Sequence, residues 1–433
     1  MNENTGLIVE WDKQHTWHPF TQMKAWCAPE HEPLVLMEGQ GAILKDSHGR
    51  TYIDGNSSIW TNIHGHGHPH IMEAIRKQLA AVAHVSFLGT TNVPAAQLAK
   101  RLADLFPEEK LSRVFYSDDG STAIEVALKM AIQFWQLQGE PHRYRLVAFE
   151  GAYHGDTAGA SSLGGISLFH ERFHRFHFPV ERVASVEELA ALSSFRQNEV
   201  AAVVIEPLIQ GAAGMRLWPQ GMLAELRKLC NSSGTLLILD EILTGFGRTG
   251  TLFACEQEDV IPDFLTLAKG LTGGYLPLAA TLTTARIFEA FLGEIEEQKT
   301  FYYGHSYTGN PLACAAALAN LDIFREESVL EKLQPKIILM QRLLSELRSI
   351  PYIADIRQCG FIAGIEVRQS FEIPYSWQAQ TGARICTAAR AHGLLTRPIG
   401  DTIVLMPPLC ITEEQLVRAV NALRKAILEI CGD

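Results

Sequence analysis

The stretches Leu236-Leu-Ile-Leu-Asp240 and Leu265-Thr-Leu-Ala-Lys269-Gly270 decide the fold that this sequence predicts. Each is a short apolar strand that runs into one charged residue, the carboxylate of Asp240 in the first and the amine of Lys269 in the second. Ligands of open α/β folds bind at the carboxyl edge of parallel strands, so we expect both side chains at that edge. The two stretches therefore predict an α/β protein with a site between Asp240 and Lys269.

This pair of charges suits pyridoxal 5'-phosphate as a cofactor. An amine must hold the cofactor's aldehyde, and a carboxylate must keep its ring nitrogen protonated. A charge buried after four apolar residues is costly unless it is paired, and a pyridinium is a suitable partner for Asp240. An isolated aspartate at a strand end is more often a turn residue, so the interpretation depends on the coincidence of Asp240 with Lys269.

Other apolar runs alternate with segments of helical periodicity. Candidate buried strands are 113–116, 145–149, 201–205, 236–239 and 264–267, and helical spacing covers 70–79, 95–105 and about 312–350. Near-continuous apolar strands between helices predict a mostly parallel sheet covered on both faces. We expect a large α/β domain over residues 71–325 and a smaller α+β domain from residues 1–70 and 326–433.

Shorter elements are predicted in the two chain ends. They are strands at 34–37, 42–44, 353–357, 362–367 and 403–405 and a final amphipathic helix at 413–430. Residues up to about His15 carry no pattern that predicts structure.

The bulk properties indicate a small-molecule enzyme of the cytoplasm. The net charge of −11 disfavours nucleic acid and anionic membranes as partners. The eight cysteines are scattered with no CxxC pair, which indicates reduced thiols. No presequence and no apolar run of membrane-spanning length is present.

Three further positions follow candidate strands at the same edge. Gly120 and Ser121 open a helical pattern and could hold a phosphate at its N-terminus, although a plain N-cap is an equal alternative. Tyr153 could stack on a pyridine ring, although core packing is the commoner role. Glu206 could line the pocket or cap a turn.

Two other motifs have a weaker interpretation. Gly245-Phe-Gly-Arg-Thr-Gly250 matches a dinucleotide fingerprint and would make the protein an NAD-binding oxidoreductase, but no clear helix follows it. The tract from His64 to His70 resembles a metal site, but no carboxylate or cysteine ligand is adjacent to it. We therefore predict no metal. A non-catalytic binding protein is disfavoured because Asp240, Lys269 and the Gly120-Ser121 pair are all present.

The chain resembles the class III aminotransferases of fold-type I over essentially its whole length. The segments 240–250, DEILTGFGRTG, and 267–277, LAKGLTGGYLP, carry this resemblance. It implies catalysis by Lys269, Asp240 and Tyr153. The cofactor would be held by these residues together with Gly120, Ser121 and Glu206.

More narrowly, the chain resembles those family members that convert 7-keto-8-aminopelargonate to 7,8-diaminopelargonate in biotin synthesis. It rests on the segments Trp17-His-Pro-Phe-Thr21, Ser57-Ser-Ile-Trp60, Ile63-His-Gly65, Tyr153-His-Gly-Asp156, Asn310-Pro-Leu-Ala-Cys314 and Thr396-Arg-Pro398. A general ω-amino acid:pyruvate aminotransferase is the alternative.

That narrower resemblance implies a substrate pocket. Arg397 would bind the substrate carboxylate through its bidentate guanidinium, and Trp60 would form a wall. Leu243 falls where ornithine and 4-aminobutyrate enzymes carry glutamine, and it fits the biotin-pathway members better. Phe20 and Ile59 replace the tyrosine and tryptophan of members that use S-adenosylmethionine, so the amino donor is open between S-adenosylmethionine and lysine.

The resemblance also implies a homodimer with active sites at its interface. Ser306 stands where the family has a threonine that reaches the cofactor phosphate of the neighbouring subunit. We also expect Gly304, two residues earlier, to line the substrate pocket.

Overall fold

The computed structural model describes residues 5–107, 110–370 and 373–432. The strands are β1 (Leu36–Gln40), β2 (Ile43–Asp46), β3 (Thr51–Asp54), β4 (Arg113–Ser117), β5 (Arg145–Phe149), β6 (Glu181–Val183), β7 (Val200–Ile205), β8 (Ile209–Gln210), β9 (Arg216–Leu217), β10 (Leu236–Asp240), β11 (Phe264–Leu267), β12 (Ala279–Thr283), β13 (Ile353–Cys359), β14 (Ile362–Val367), β15 (Leu394–Leu395), β16 (Pro398–Ile399) and β17 (Thr402–Leu405).

Helices separate most of these strands. They are α1 (Thr5–His15), α2 (Met23–Trp26), α3 (Ser57–Trp60), α4 (Pro69–Ala81), α5 (Val93–Ala103), α6 (Gly120–Leu137), α7 (Ala158–Leu163), α8 (Ser167–His170), α9 (Val186–Ala191), α10 (Ser193–Arg196), α11 (Met222–Ser233), α12 (Ala285–Ala290), α13 (Pro311–Glu326), α14 (Val329–Leu347), α15 (Thr381–Ala391) and α16 (Glu413–Cys431). Short 3-10 turns lie at Glu171–Phe176, Ala254–Glu258, Lys269–Thr272, Ile295–Glu297 and Trp377–Ala379.

A seven-stranded sheet forms the centre of the molecule, in the order β4-β12-β11-β10-β7-β5-β6. All five strands predicted for this region lie in it, and every residue of β7 and β10 is buried. Helix α6 covers part of the sheet, as expected for strands that are apolar on both faces. The predicted α/β fold with a mostly parallel sheet is therefore confirmed.

Strand β12 is the exception to the parallel order, because it pairs antiparallel with both β11 and β4. Residues 268–278 connect β11 to β12, and this connection is too short for a helical crossover. The chain therefore turns back after Lys269. Strands β6 and β12 were not among the sequence predictions.

The two chain ends meet in a second sheet of order β1-β2-β3-β15, in which β3 from the N-terminal part pairs parallel with β15 from the C-terminal part. A third sheet, β13-β14-β17-β16, is antiparallel. The predicted strands of both ends form, with β1 and β2 shifted slightly toward the C-terminus. The division at residues 71 and 325 stays a prediction.

Helix α1 was not predicted because it has no buried residue and so no apolar stripe. Within the described ranges, no helix is both long enough and apolar enough to span a membrane.

Candidate active site

A cavity of about 420 Å³ lies at the carboxyl edge of the central sheet. Strands β4, β5, β7, β10 and β11 all end toward it, because they run parallel. Its lining contains seven of the residues chosen from the sequence, namely Lys269, Asp240, Glu206, Tyr153, Gly120, Ser121 and Trp60. The sheet therefore brings the predicted catalytic and cofactor-binding residues together in one place.

Lys269 follows β11 and opens the turn toward β12. Its amine Nζ lies 4.6 Å from the centre of the Trp60 ring. Burial lowers the pKa of Lys269, and the negative charges of Asp240 and Glu206 oppose that shift. The net lowering favours the neutral amine, which is the nucleophilic form.

Asp240 ends β10, and both of its oxygens are held. Oδ2 lies 2.7 Å from Nδ1 of His154, and Oδ1 accepts from the backbone N–H of Ile242 at 3.1 Å. Burial by itself would lower the pKa of His154, but the hydrogen bond and charge of Asp240 outweigh it and raise that pKa. Sequence reasoning missed His154 as a partner, although it stands in the Tyr153-His-Gly-Asp156 motif.

Glu206 follows β7, where the sequence left open whether it lines the pocket or caps a turn, and it does both. Its carboxyl group lines the cavity and also accepts from the backbone N–H groups of Gly211 at 2.9 Å and Tyr153 at 3.3 Å. Burial raises the pKa of Glu206 to about 7. A carboxyl group with this pKa changes its protonation in the neutral pH range.

The Tyr153 ring forms part of the cavity wall and packs nearly parallel to the ring of His170, with centroids 6.0 Å apart at 13°. Its hydroxyl donates to Oδ2 of Asp156 at 2.7 Å. Burial raises the pKa of Tyr153, so the ring is a neutral phenol. The hydrogen bond to Asp156 restricts the rotation of the Tyr153 side chain, so its ring can form a wall against a flat ligand.

Gly120 and Ser121 form the first turn of α6. Asp119 caps this helix by accepting from the Thr122 N–H at 2.9 Å, whereas the N–H groups of Gly120 and Ser121 have no hydrogen-bond partner among the described residues. A Cβ at Gly120 would come within 2.8 Å of Ile242, so a side chain does not fit there. The open N–H groups at a helix N-terminus suit a phosphate dianion.

These observations test the fit of pyridoxal phosphate. The cavity offers a buried amine on one strand end, a carboxylate held by an imidazole on the neighbouring strand end, and free N–H donors at a helix N-terminus. The residues present therefore fit the aldehyde, the ring nitrogen and the phosphate of the cofactor.

Phe20 and Arg397 lie outside this cavity, in the wall of a larger one of about 1830 Å³. The two cavities share Ala212 and are therefore adjacent. No side-chain hydrogen bond or salt bridge of the Arg397 guanidinium occurs in the described part of the chain. An arginine without a counter-ion beside the inner cavity suits a carboxylate of a bound ligand.

Gly304 and Ser306 line neither cavity of the single chain. Both are exposed, and a Cβ at Gly304 would meet nothing within 4 Å. One chain by itself does not bring these two positions to the other site residues.

The side chains of the histidine tract do not meet at one site. His66, His68 and His70 contact separate carboxylates, at 2.9 Å from Asp54, 3.2 Å from Glu327 and 3.7 Å from Asp322. Over residues 5–107, 110–370 and 373–432, no group of three or more potential metal ligands is found.

The Gly245–Gly250 motif leads into turns rather than a helix, so it is not a dinucleotide site. Its Arg248 is fully buried and donates to the carbonyl oxygens of Pro407 at 2.8 Å and Trp60 at 3.5 Å. Burial lowers the pKa of Arg248 to about 9. This arginine therefore helps to hold the backbone of the cavity wall at Trp60.

The sheet, the Lys269–Asp240 pair and the helix terminus define a pyridoxal phosphate-dependent transferase of fold-type I. The family model described as aminotransferase class-III matches residues 26–427. The chain belongs to the class III aminotransferases, and it is a pyridoxal phosphate-dependent enzyme like the other members.

Individual relatives agree with this assignment. An adenosylmethionine-8-amino-7-oxononanoate aminotransferase from Geobacter sulfurreducens is 46% identical, over 99% of each chain. The crystal structure of the protein of that name from Methanocaldococcus jannaschii is 42% identical, covers 99% of this chain and 100% of its own, and has a TM-score of 0.95. An amine transaminase from an uncultivated Pseudomonas species, solved in its PLP-bound form, is 32% identical, covers 96% and 99%, and has a TM-score of 0.89.

Proposed function

We propose that the protein transfers an amino group to 8-amino-7-oxononanoate, also written 7-keto-8-aminopelargonate, and so produces 7,8-diaminopelargonate for biotin synthesis. The observation that carries this proposal is the adjacency of two cavities, one with Lys269 and Asp240 and one with Arg397, which has no ion-pair partner among the described residues. The acceptor has the matching shape, an apolar chain with a ketone near one end and a carboxylate at the other. The names of the full-length relatives support the same substrate.

The chemistry of the amino transfer divides between the cofactor and the protein. Bound pyridoxal phosphate supplies an electron sink for the carbon that loses or gains a proton. Lys269 would hold the cofactor's aldehyde and would move that proton as general acid and base. Asp240, held by His154, would provide the negative charge for the ring nitrogen.

The walls of the cavities orient the acceptor. Trp60 and Leu243 are buried beside Lys269 and exclude water from the reacting carbon. Arg397 holds the distant carboxylate and so places the single ketone of the acceptor at Lys269. The apolar wall formed by Trp60 and Leu243 suits the uncharged middle of the acceptor chain.

The amino donor is S-adenosylmethionine or lysine. Phe20 is more than half exposed in the outer cavity and meets Phe169 edge-on, at 5.5 Å between centroids. It offers no hydroxyl to a donor, and Ile59 offers no indole N–H at the inner cavity. The donor must therefore bind without these two hydrogen bonds.

We also propose a cytoplasmic homodimer. Gly304 and Ser306 would complete the active site of the partner subunit, because they are exposed and line neither cavity of their own chain. All eight cysteines are free, which supports a reducing compartment.

A general ω-amino acid:pyruvate aminotransferase is the second candidate function. The similarity to the amine transaminase from the Pseudomonas species favours it. Such an enzyme would accept pyruvate with an efficiency comparable to that for the long keto acid.

A half-reaction followed by absorbance tests the proposal. The purified enzyme with its cofactor is mixed separately with 7,8-diaminopelargonate, S-adenosylmethionine, lysine, ornithine and 4-aminobutyrate. We expect the visible cofactor band to bleach with 7,8-diaminopelargonate and with either S-adenosylmethionine or lysine. Bleaching by ornithine or 4-aminobutyrate alone would contradict the substrate assignment.

Lys269→Ala is the matched variant for this experiment. It should fold and bind the cofactor non-covalently, but borohydride should fix no cofactor on it and amino transfer should be lost. Retained transfer in this variant would contradict the role of Lys269.

A further inference from the structure

The turn that carries Lys269 has an unusual backbone. Lys269 has a φ of +32°, in the left-handed region that side chains disfavour, and it opens the turn Lys269–Thr272 between β11 and β12. A residue with a side chain keeps such a conformation only where its surroundings hold it. Because Lys269 must return to the same place in every turnover, what holds this turn bears on the reaction.

Asn320 holds the turn from the side of helix α13. Its side chain is fully buried, and its amide nitrogen Nδ2 donates to the carbonyl oxygens of Gly270 and Leu271, at 3.1 Å each. The Gly270 carbonyl also accepts from the N–H of Gly273. Among the described residues, the Leu271 carbonyl has Asn320 as its one donor. A single amide group therefore holds the peptide groups 270–271 and 271–272, which begin one residue after Lys269.

The orientation of this amide is also restricted. Its oxygen Oδ1 lies over Gly273, 3.3 Å from where a Cβ of that residue would be, which would be a tight contact.

The two carbonyl oxygens also decide which way the Asn320 amide is turned. A flipped amide would bring its oxygen Oδ1 against the carbonyl oxygens of Gly270 and Leu271, where no donor is present on either side. The turn therefore favours the orientation in which Nδ2 faces Gly270 and Leu271.

We propose that Asn320 is a positioning residue for Lys269. The inference rests on the proposed role of Lys269 as the residue that holds the cofactor and moves the proton. Asn320 touches neither cavity and acts through the backbone of the turn. Without it, the left-handed backbone at Lys269 relaxes and the amine shifts relative to the cofactor.

Two variants of the holoenzyme test the proposal. Asn320→Leu keeps approximately the volume and removes the donors, whereas Asn320→Ser is smaller and too short to bridge both carbonyls. Trp135→Phe is the matched control, because it removes a buried hydrogen bond from Nε1 to the carbonyl of Ala201, 2.9 Å long, from the far part of α6.

The first readout is the pH midpoint at which the visible cofactor band changes, which reports on the bond to Lys269 rather than on turnover. We expect a shift of at least about half a pH unit in the Asn320 variants and none in Trp135→Phe. The second is a split between kcat and KM. We expect kcat to fall between about tenfold and a hundredfold, as for small misplacements of a reacting group, with KM changed less than about twofold.

The failures are distinguishable. If borohydride fixes no cofactor on Lys269 of the wild-type protein, the proposed function fails. If it does, and the Asn320 variants titrate and turn over like Trp135→Phe, the positioning role alone is overturned. Failure of both Asn320 variants to fold would also overturn it, because the amide would then serve the fold rather than Lys269.

Discussion

Nδ1 of His154 lies 2.7 Å from Oδ2 of Asp240, and both side chains are buried. The imidazole thus gives the carboxylate a partner inside the protein, which a buried charge requires. Asp240 still lines the cavity, where the ring nitrogen of the cofactor would be a further partner. Asp240→Asn should therefore lower kcat by about 10²–10³, the range for removing a preorganised electrostatic contact.

The pair also makes a prediction for stability. The folded-state pKa of His154 is raised above its ordinary value of 6.5. The stability it contributes is therefore fully present below pH 6.5 and is lost as pH rises through the raised pKa. Thermal unfolding of the wild-type protein between about pH 6 and pH 9 should show a falling midpoint, and His154→Gln should flatten that fall.

Glu206 provides the control for this measurement. Its folded-state pKa is raised from 4.5 to about 7, so the stability that its protonated carboxyl group contributes is lost as pH rises from 4.5 through that value. The slope that remains in His154→Gln in the lower part of the measured pH range should come from Glu206 and should disappear when Glu206→Gln is added. An unchanged slope in the double variant would contradict both assignments.

Arg397 should act on the acceptor rather than on the chemistry. Its guanidinium lies in the outer cavity without an ion-pair partner among the described residues, so it is available to a substrate carboxylate. Arg397→Lys keeps the charge but loses the bidentate geometry. We expect KM for 8-amino-7-oxononanoate to rise about tenfold, with a smaller change in the rate of the half-reaction with the amino donor. Arg418→Ala, at an exposed position of α16, should leave both values unchanged. An unchanged KM for the acceptor in Arg397→Lys would argue against a carboxylate site.

The contact between Gly211 and Leu243 should set the width of the inner cavity. A Cβ at Gly211 would lie 2.4 Å from Cδ2 of Leu243, which is buried in the cavity wall. Gly211→Ala should push Leu243 toward Lys269 and lower the free energy of unfolding by about 1–3 kcal/mol, the usual cost of overpacking. Denaturant unfolding measures the first effect, and a raised KM for the acceptor reports the second.

Leu243→Ala combined with Gly211→Ala should recover part of the lost affinity, because the alanine at 243 makes room for the added methyl group. No recovery in the double variant would show that the substitution acts elsewhere, for instance through the hydrogen bond from Gly211 to Glu206.

The sequence predicted the centre of the site well because each catalytic group follows an apolar strand. The carboxyl ends of parallel strands meet at one edge, so Asp240, Lys269 and Glu206 could be placed together from chain position alone. Strand β12 was not predicted. It runs antiparallel to its neighbours because the connection after Lys269 is short. Asn320 was missed for a different reason, since its helix reaches the turn only in the folded chain and no local pattern marks the contact.

The exposed position of Ser306 leads to a test of the proposed dimer. If Ser306 serves the partner's cofactor, Ser306→Ala should weaken cofactor retention, and Lys269→Ala should remove amino transfer. Co-expression of the two variants should then restore activity, because one site of each mixed dimer combines an intact Lys269 with an intact Ser306. Purification through two different tags isolates the mixed dimer for this measurement. If Ser306 acts within its own chain, the Ser306→Ala chain keeps its defect and no restoration is seen.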